Sequence, residues 1–181
     1  MSAPMVLALL AGRKTVTRRM SQQWLKLQVG QRLWVRETFK REDLGPDEYP
    51  RLVWRADRAA RWHSSERSHS ETFYLESDYE PRRWTPAIHM PRWASRITLE
   101  VTEPPRLERA QDITDADAKL EGFPLPPGPA LVNGETAALA VFDARLSFQL
   151  LWQQLHKKPG ERWEDNPEVV RIAFKRLTEA T

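Results

Sequence analysis

The stretch ITLEVTE, Ile97 to Glu103, decides the fold, because its apolar and polar residues alternate without interruption. Leu99 and Val101 share one face of an extended chain with Ile97, and this period of two predicts a β-strand with one buried side. The stretch VVRIAFKRL, Val169 to Leu177, alternates in a similar way. It predicts a closing strand near the end of the chain.

Helices are predicted around these strands. Serine and proline at positions 2 and 4 start a helix that ends near Gly12. DITDADAKLEG, Asp112 to Gly122, has capping-box-like spacing and closes on glycine, so it predicts a short helix that carries Glu121 at its C-terminal end. Thr136 to Leu155 has a helical period. Its apolar face is predicted to comprise Leu139, Phe142, Leu146, Leu150 and either Trp152 or Leu155.

Three other segments complete the organisation. RLWVRETF, Arg32 to Phe39, predicts a strand with polar groups on both faces, whereas GRKTVTRR, residues 12 to 19, predicts a turn or irregular segment beside a pocket. The polar, aliphatic-poor region from Arg41 to Arg83 predicts a long excursion, within which Leu52 to Asp57 is a candidate strand.

Length and composition restrict the class of protein. The 181 residues suit a single domain, and 29% charged against 40% hydrophobic residues, with 14 Pro and 7 Gly, excludes collagen-like, mucin-like and coiled-coil proteins. No apolar run approaches the roughly 18 to 20 residues of a membrane-spanning helix. The absence of cysteine excludes disulfides, thiolate metal sites and a cysteine nucleophile. We expect a cytoplasmic α+β protein without a membrane partner.

The net charge of +3 is distributed unevenly. Between Met1 and Arg41 the only acidic residue is Glu37. The basic residues of this stretch are Arg13, Lys14, Arg18, Arg19, Lys26, Arg32, Arg36, Lys40 and Arg41. Such a run is either a solvated face or a basic lobe that meets a phosphate-bearing ligand such as a nucleic acid.

Common catalytic motifs are missing from the sequence. The four histidines show no HxH or HExxH spacing, there is no GxSxG elbow, and neither GxxxxGK nor GxGxxG occurs. We therefore expect neither a metal nor a cofactor.

Lys14, Thr17 and Glu121 remain as a candidate catalytic set. A threonine hydroxyl is a poor nucleophile unless a base lies within hydrogen-bond reach. Lysine can be that base only if its pKa is lowered, through burial or through the neighbouring arginines. A glutamate could then position the ammonium or shuttle a proton. The other interpretation is that these are turn residues on a basic surface and a solvated helix end.

Six blocks of the sequence together resemble the ASCH domain family, in the longer form common in phages and prophages. They are GRKTVTRR, RLWVRETF, IHMPRWASRITLEVTE, DITDADAKLEGF, FQLLWQQL and WEDNPEVVRIAFKRL. The resemblance implies one PUA-like domain over residues 1–181, an α+β pseudo-barrel of mixed strands with flanking helices, with residues 41–83 the least matched. Longer relatives carry a strand-forming segment ahead of SAPM. We therefore expect one barrel strand to be missing or replaced, or the start to lie upstream.

The same resemblance implies an activity. Small bacterial N(4)-acetylcytidine amidohydrolases of the wider family carry GRKTxTxR and a glutamate on a later helix, and these match Lys14, Thr17 and Glu121 as catalytic residues. Thr17 would attack the acyl carbonyl or orient a water toward it, Lys14 would move the proton, and Glu121 would hold Lys14 or protonate the leaving nitrogen. Arg19 matches the arginine that ends the motif and is a candidate for substrate contact.

Five more residues are candidates for substrate contact, on their position and chemistry. They are Arg36, Trp84, His89, Arg92 and Trp93. A tryptophan ring offers a stacking surface to a base, although packing in a core is the commoner role. The expected partner is a modified cytidine nucleoside, acted on by a monomer. The alternatives are an RNA-binding PUA-like module and a ribonuclease.

Overall fold

The structure is a computed structural model that describes residues 1–42, 51–62, 83–123, 131–132, 135–136 and 143–177. It is an α+β fold with antiparallel sheets and few helices. The helices are α1 (Ala3–Leu10), α2 (Asp115–Leu120) and α3 (Ala144–Leu155). The strands are β1 (Val16–Arg19), β2 (Arg32–Trp34), β3 (Phe39–Glu42), β4 (Arg51–Trp54), β5 (Ala60–Trp62), β6 (Thr98–Val101), β7 (Arg106–Arg109), β8 (Leu131–Val132), β9 (Glu135–Thr136) and β10 (Glu168–Leu177).

The chain divides into two compact units. The first unit comprises Met1–Val6 and Val35–Arg96, and the second comprises Leu7–Trp34 and Ile97–Thr181. A three-stranded antiparallel sheet, in the order β3-β4-β5, belongs to the first unit. A five-stranded sheet belongs to the second, together with the β8-β9 pair.

Strand β10 is the centre of the five-stranded sheet. It pairs with β1 along one edge and with β7 and then β6 along the other, and β2 pairs with β6. The six successive residues from 169 to 174 are all buried, Arg171 among them. The predicted closing strand is therefore confirmed, but both of its faces are covered. Among the described strands no pairing closes this sheet into a barrel.

The strand predicted from ITLEVTE is confirmed as β6. Its apolar residues Ile97, Leu99 and Val101 are at most 4% exposed. Phe174 of β10 lies opposite Val101, whereas Arg171 lies opposite Arg106. An advance of three residues along β10 is therefore opposite an advance of five residues along the segment that joins β6 to β7. The two extra residues form a bulge around Pro104 and Pro105, because proline has no backbone N–H to donate to the neighbouring strand.

Two predictions about the N-terminal half are wrong in part. The segment predicted as a turn, residues 12 to 19, becomes strand β1 from Val16, because its β-branched residues pair with β10. The strand predicted over Arg32 to Phe39 is divided into β2 and β3. Residues 35–38 between them have no regular structure, and Glu37 there turns its carboxylate onto Arg96.

The long excursion contains regular structure. Strand β4 confirms the first half of the candidate strand predicted over Leu52 to Asp57, whereas residues 55–57 form a turn. Strands β3 and β5 pair on its two sides. Its core cluster joins Phe39, Leu52, Trp54, Met90 and Ala94, all at most 8% exposed. The rest of the predicted excursion, residues 43–50 and 63–82, lies outside the described residues.

The last helix is shorter than predicted, and of the predicted apolar face within the described residues only Trp152 is buried. It begins at Ala144, because the Asp143 side chain caps it by accepting from the Leu146 amide. The buried residues include Phe148 and Trp152, whereas Leu146, Leu150 and Leu155 are exposed. Aromatic packing decides the face, since the Phe148 ring contacts the rings of Phe123, Trp152 and Trp163. Predicted positions 139 and 142 lie outside the described residues. No helix in the described ranges is long and apolar enough to cross a membrane.

Candidate active site

Lys14 lies at the turn that leaves α1. Gly12 ends the helix with φ of +71°, a left-handed conformation that glycine adopts readily. The Lys14 amide donates to the Ala8 carbonyl at 3.1 Å, and the Thr15 amide donates to the Leu120 carbonyl at 2.8 Å. The segment is therefore fixed against α1 and α2 before β1 begins.

Glu121 caps the C-terminal end of α2 at the same place. Its amide donates to the Asp117 carbonyl at 3.0 Å, and Gly122 follows with φ of +98°. A Cβ at Gly122 would lie 2.8 Å from the Ala8 Cβ and 3.3 Å from the Lys14 Cβ. Only glycine allows so close an approach, so the residue that ends the helix also brings Glu121 against Lys14.

The Lys14 side-chain nitrogen has three hydrogen-bond acceptors. Nζ donates to the Val16 carbonyl at 2.9 Å, to the Glu121 carbonyl at 2.9 Å, and closely to Glu121 Oε2. Both residues are only 4% exposed. Since an ammonium has three N–H groups, the pair uses all of them away from bulk water.

Burial lowers the pKa of Lys14 below its ordinary value of 10.5, because the charged form loses its hydration. The Glu121 carboxylate opposes this shift, and the charges of Arg19 and Arg18 reinforce it. A neutral amine keeps only two N–H groups, so one of the three acceptors must then face its lone pair. Only the Glu121 carboxyl group can carry the proton that meets it. The pair can therefore pass one proton between Nζ and Oε2.

Arg18 joins the same cluster, and sequence reasoning treated it only as a nearby charge. Its side chain is 1% exposed, Nη1 lies 3.3 Å from Glu121 Oε1, and Nε donates closely to Glu108 Oε1. The segment was predicted as a turn, so the sequence offered no signal for this contact. Glu121, which both side chains contact, places Arg18 beside Lys14.

Thr17 lies on β1 between these groups. It is 9% exposed, and none of the hydrogen bonds within the described ranges involves its hydroxyl. Lys14 Nζ binds the peptide group that joins Val16 to Thr17. Along β1 the Thr17 side chain alternates with that of Arg18 and shares its face with Arg19, whose charge also acts on the Lys14 amine. The structure therefore brings Lys14 and Glu121 into contact, whereas it shows Thr17 only as a neighbour through the backbone.

The other five candidates for substrate contact lie in the first unit. Trp84 already receives two cations, with Lys40 Nζ at 5.2 Å and the Arg58 guanidinium at 4.9 Å from its ring centroid. Its ring is half-buried. The cation contacts account for the position of this ring in the first unit.

Trp93 and its neighbours lie on two short 3₁₀ turns. Trp93 is 57% exposed, and His89 and Arg92 are exposed as well. Arg36 donates through Nη1 to the Ile88 carbonyl at 3.2 Å. These residues form an exposed aromatic and basic segment, and their role in binding stays a prediction.

Within the described ranges, no three histidine, aspartate or glutamate side chains come together as metal ligands. Comparison with family models, curated proteins and solved structures finds no match. The chemistry of the site is therefore inferred from the geometry and charge of its own residues.

Proposed function

We propose that this protein is a metal-independent amidohydrolase on an ASCH-type, PUA-like fold, and that it removes the acyl group from N(4)-acylated cytosine nucleosides such as N(4)-acetylcytidine. The observation that carries the proposal is the buried pair of Lys14 and Glu121, in which burial lowers the pKa of the lysine. Amide hydrolysis needs one proton removed from the nucleophile and one delivered to the leaving nitrogen. A pair that passes a proton between Nζ and Oε2 suits both tasks.

The proposed reaction begins with Lys14 in its neutral form. Lys14 takes the proton of the Thr17 hydroxyl, or of a water that Thr17 orients, as the oxygen bonds to the acyl carbon. The bond from that carbon to N4 then breaks, and N4 receives a proton from Lys14 or from Glu121. If Thr17 is the nucleophile, water hydrolyses the resulting ester. The products are the unmodified nucleoside and a carboxylic acid.

The burial of Lys14 favours this reaction over simple RNA binding. Nucleic-acid phosphates are bound by exposed cations, because a phosphate keeps its hydration shell and its counterions until the cation reaches it. Lys14, at 4% exposure and with three acceptors on Nζ, is not placed to meet a phosphate. A binding module has no need for a lysine and a carboxylate in such contact.

Hydrolysis of N(4)-acetylcytidine tests the proposal. We expect release of cytidine without added metal and in the presence of a chelator. Lys14→Ala should lower kcat/KM by about 10²-fold to 10⁴-fold. Lys158→Ala, which removes an exposed lysine of the second unit, should leave it unchanged. Equal turnover by wild type and Lys14→Ala, or none on a panel of acylcytosines, contradicts the proposal, and salt-sensitive RNA binding or cleavage would then favour the alternatives.

Substitutions at Thr17 separate its two proposed roles. If Thr17 attacks the acyl carbon, Thr17→Val should abolish turnover, Thr17→Ser should retain part of it, and mass spectrometry after rapid quenching should find the acyl group on Thr17. If Thr17 orients water, no acyl-protein should form. Wild-type turnover by Thr17→Val would remove Thr17 from the mechanism.

A further inference from the structure

Glu121 is held by two cations, one on each carboxylate oxygen. Oε2 accepts from Lys14, and Oε1 lies 3.3 Å from Arg18 Nη1. Because each oxygen has its own cation, the carboxylate cannot rotate about its last bond without losing both contacts. Arg18 therefore restricts the orientation in which Glu121 meets Lys14.

Arg18 is itself held in place from two other elements. Nε donates to Glu108 of β7, and the guanidinium lies 6.0 Å from the centre of the Phe148 ring of α3. Its side chain is 1% exposed. A buried arginine whose guanidinium is held by both a carboxylate and an aromatic ring can hold a neighbouring carboxylate in a fixed orientation.

One nitrogen of Arg18, Nη2, is buried and has no hydrogen-bond partner among the described residues, although the Asp117 carboxylate lies 3.8 Å from it. A buried N–H group without a partner destabilises a fold by about 1 to 3 kcal/mol. Arg18 is held by its contacts with Glu108 and Glu121 despite this cost.

We propose that Arg18 is a positioning residue. It orients the Glu121 carboxylate toward Lys14, and its fixed positive charge favours the uncharged form of the Lys14 amine. The consequence for turnover rests on the proposed amidohydrolase function. The effect on Lys14 itself does not depend on that function.

Other charged groups surround the pair and have to be kept constant in a test. They are Asp117 from α2, Glu108 from β7, Arg19 from β1, and Arg171 from β10, whose Nε lies 3.5 Å from Asp117 Oδ1. Arg18 contacts Glu121 directly and also lowers the pKa of Lys14. Substitution of Arg18 alone therefore addresses both parts of the proposal.

The first test follows the titration of the Lys14 amine by NMR in isotope-labelled protein, with Lys14→Ala used to assign its signal. In Arg18→Gln the midpoint should move to higher pH than in wild type, because a neighbouring positive charge is lost. Arg18→Lys keeps the charge and should keep the midpoint. Arg176→Gln, which removes an exposed arginine from the second unit, should also leave it unchanged. An unmoved midpoint in Arg18→Gln overturns the proposal.

The second test uses turnover of N(4)-acetylcytidine. Both Arg18 variants should lower kcat by about 10-fold to 100-fold with KM retained, since Arg18 orients a reacting group without touching substrate. The rising limb of the pH–rate profile should move to higher pH in Arg18→Gln but not in Arg18→Lys. Wild-type kcat in Arg18→Lys overturns the proposal, even if Arg18→Gln does not fold. If the wild type hydrolyses no acylcytosine, the proposed function fails, and the NMR titration still decides the role of Arg18.

Discussion

Two buried carboxylates, Glu37 in the first unit and Glu121 in the second, are each paired with cations, but the pairs are completed differently. Both Glu37 oxygens accept hydrogen bonds of 2.9 Å from Arg96. Glu121 instead divides its oxygens between Lys14 and Arg18. The first arrangement is a bidentate pair, whereas the second joins one carboxylate to two different cations.

Two further N–H groups of Arg96 bind Asp57. These hydrogen bonds are 2.9 and 3.0 Å long, and the guanidinium lies 4.6 Å from the centre of the Trp54 ring. Burial lowers the pKa of Arg96, but the hydrogen bonds to Glu37 and Asp57 outweigh it, and the net shift is upward. This cluster is a structural ion pair that holds its proton.

The Lys14 cluster has the opposite tendency. Burial lowers the pKa of Lys14, and a buried nitrogen of Arg18 has no hydrogen-bond partner within the part of the chain that the structure describes. Lysine can lose its proton in a protein, whereas arginine does not. The identity of the buried cation, and not burial of the carboxylate, therefore distinguishes a pair whose cation can lose its proton from one whose cation keeps it.

Matched substitutions of the two carboxylates should give the largest contrast. Glu121→Gln should lower kcat by about 10²-fold to 10⁴-fold, because the amide cannot exchange a proton with Lys14. Glu37→Gln should lower the free energy of unfolding by about 3 kcal/mol, since it leaves the Arg96 charge incompletely paired. Turnover per folded molecule should stay within about threefold of wild type in Glu37→Gln. Steady-state kinetics and urea unfolding measure the two effects. Retained turnover in Glu121→Gln together with lost turnover in Glu37→Gln would contradict the proposed role of Glu121.

Substitutions at two glycines test how closely the end of α2 approaches Ala8 and Lys14. Gly122→Ala should destabilise the protein by about 3 kcal/mol, because it combines a left-handed backbone with a Cβ only 2.8 Å from that of Ala8. Gly160→Ala has a similar φ of +81° but open space around it, so about 1 kcal/mol is expected. Urea unfolding of both variants gives the comparison. Equal losses would show that the approach of α2 to Lys14 is not tight.

The stability of the protein should depend on pH through Lys14 but not through Arg96. Because the pKa of Lys14 is lower in the folded state, the unfolded chain binds more protons between the folded value and 10.5. The free energy of unfolding should therefore rise with pH in that window, by at most about 1.4 kcal/mol per pH unit. Urea unfolding of wild type and Lys14→Met across this range isolates the effect. A difference between them that falls with rising pH would contradict the shift.

A surface ion pair supplies the smallest expected effect. Lys119 Nζ lies 2.7 Å from Asp115 Oδ2 on α2, but both side chains are well exposed. Lys119→Ala should leave both the free energy of unfolding and turnover almost unchanged, because solvent screens an exposed ion pair. A clear loss of turnover would show that exposed residues of α2 also contribute to the reaction.

Local patterns predicted the elements that form from neighbouring residues. Strands β6 and β10 follow from alternation, and α2 follows from its cap at Thr114 and its terminal Gly122. The aromatic face of α3 did not follow, because the rings that bury Phe148 come from distant parts of the chain. Tertiary packing decided that face against the leucine pattern.

The candidate site was predictable to a similar extent. Spacing alone left the relation of Lys14 to Glu121 open, because 107 residues separate them. The resemblance to the ASCH family supplied the pairing as an expectation. Neither predicted the position of Arg18, because its contacts depend on the register of β1 beside β10 and on the place where α2 ends.

The titration of the Lys14 amine in the wild-type protein tests directly whether burial lowers the pKa of Lys14. An NMR titration of labelled lysine side chains reports the midpoint of Lys14 alongside those of exposed lysines such as Lys158. We expect a Lys14 midpoint below 10.5, with the exposed lysines near their ordinary value. A Lys14 midpoint at or above that of the exposed lysines would show a permanently charged structural pair and would contradict a role for Lys14 in proton transfer.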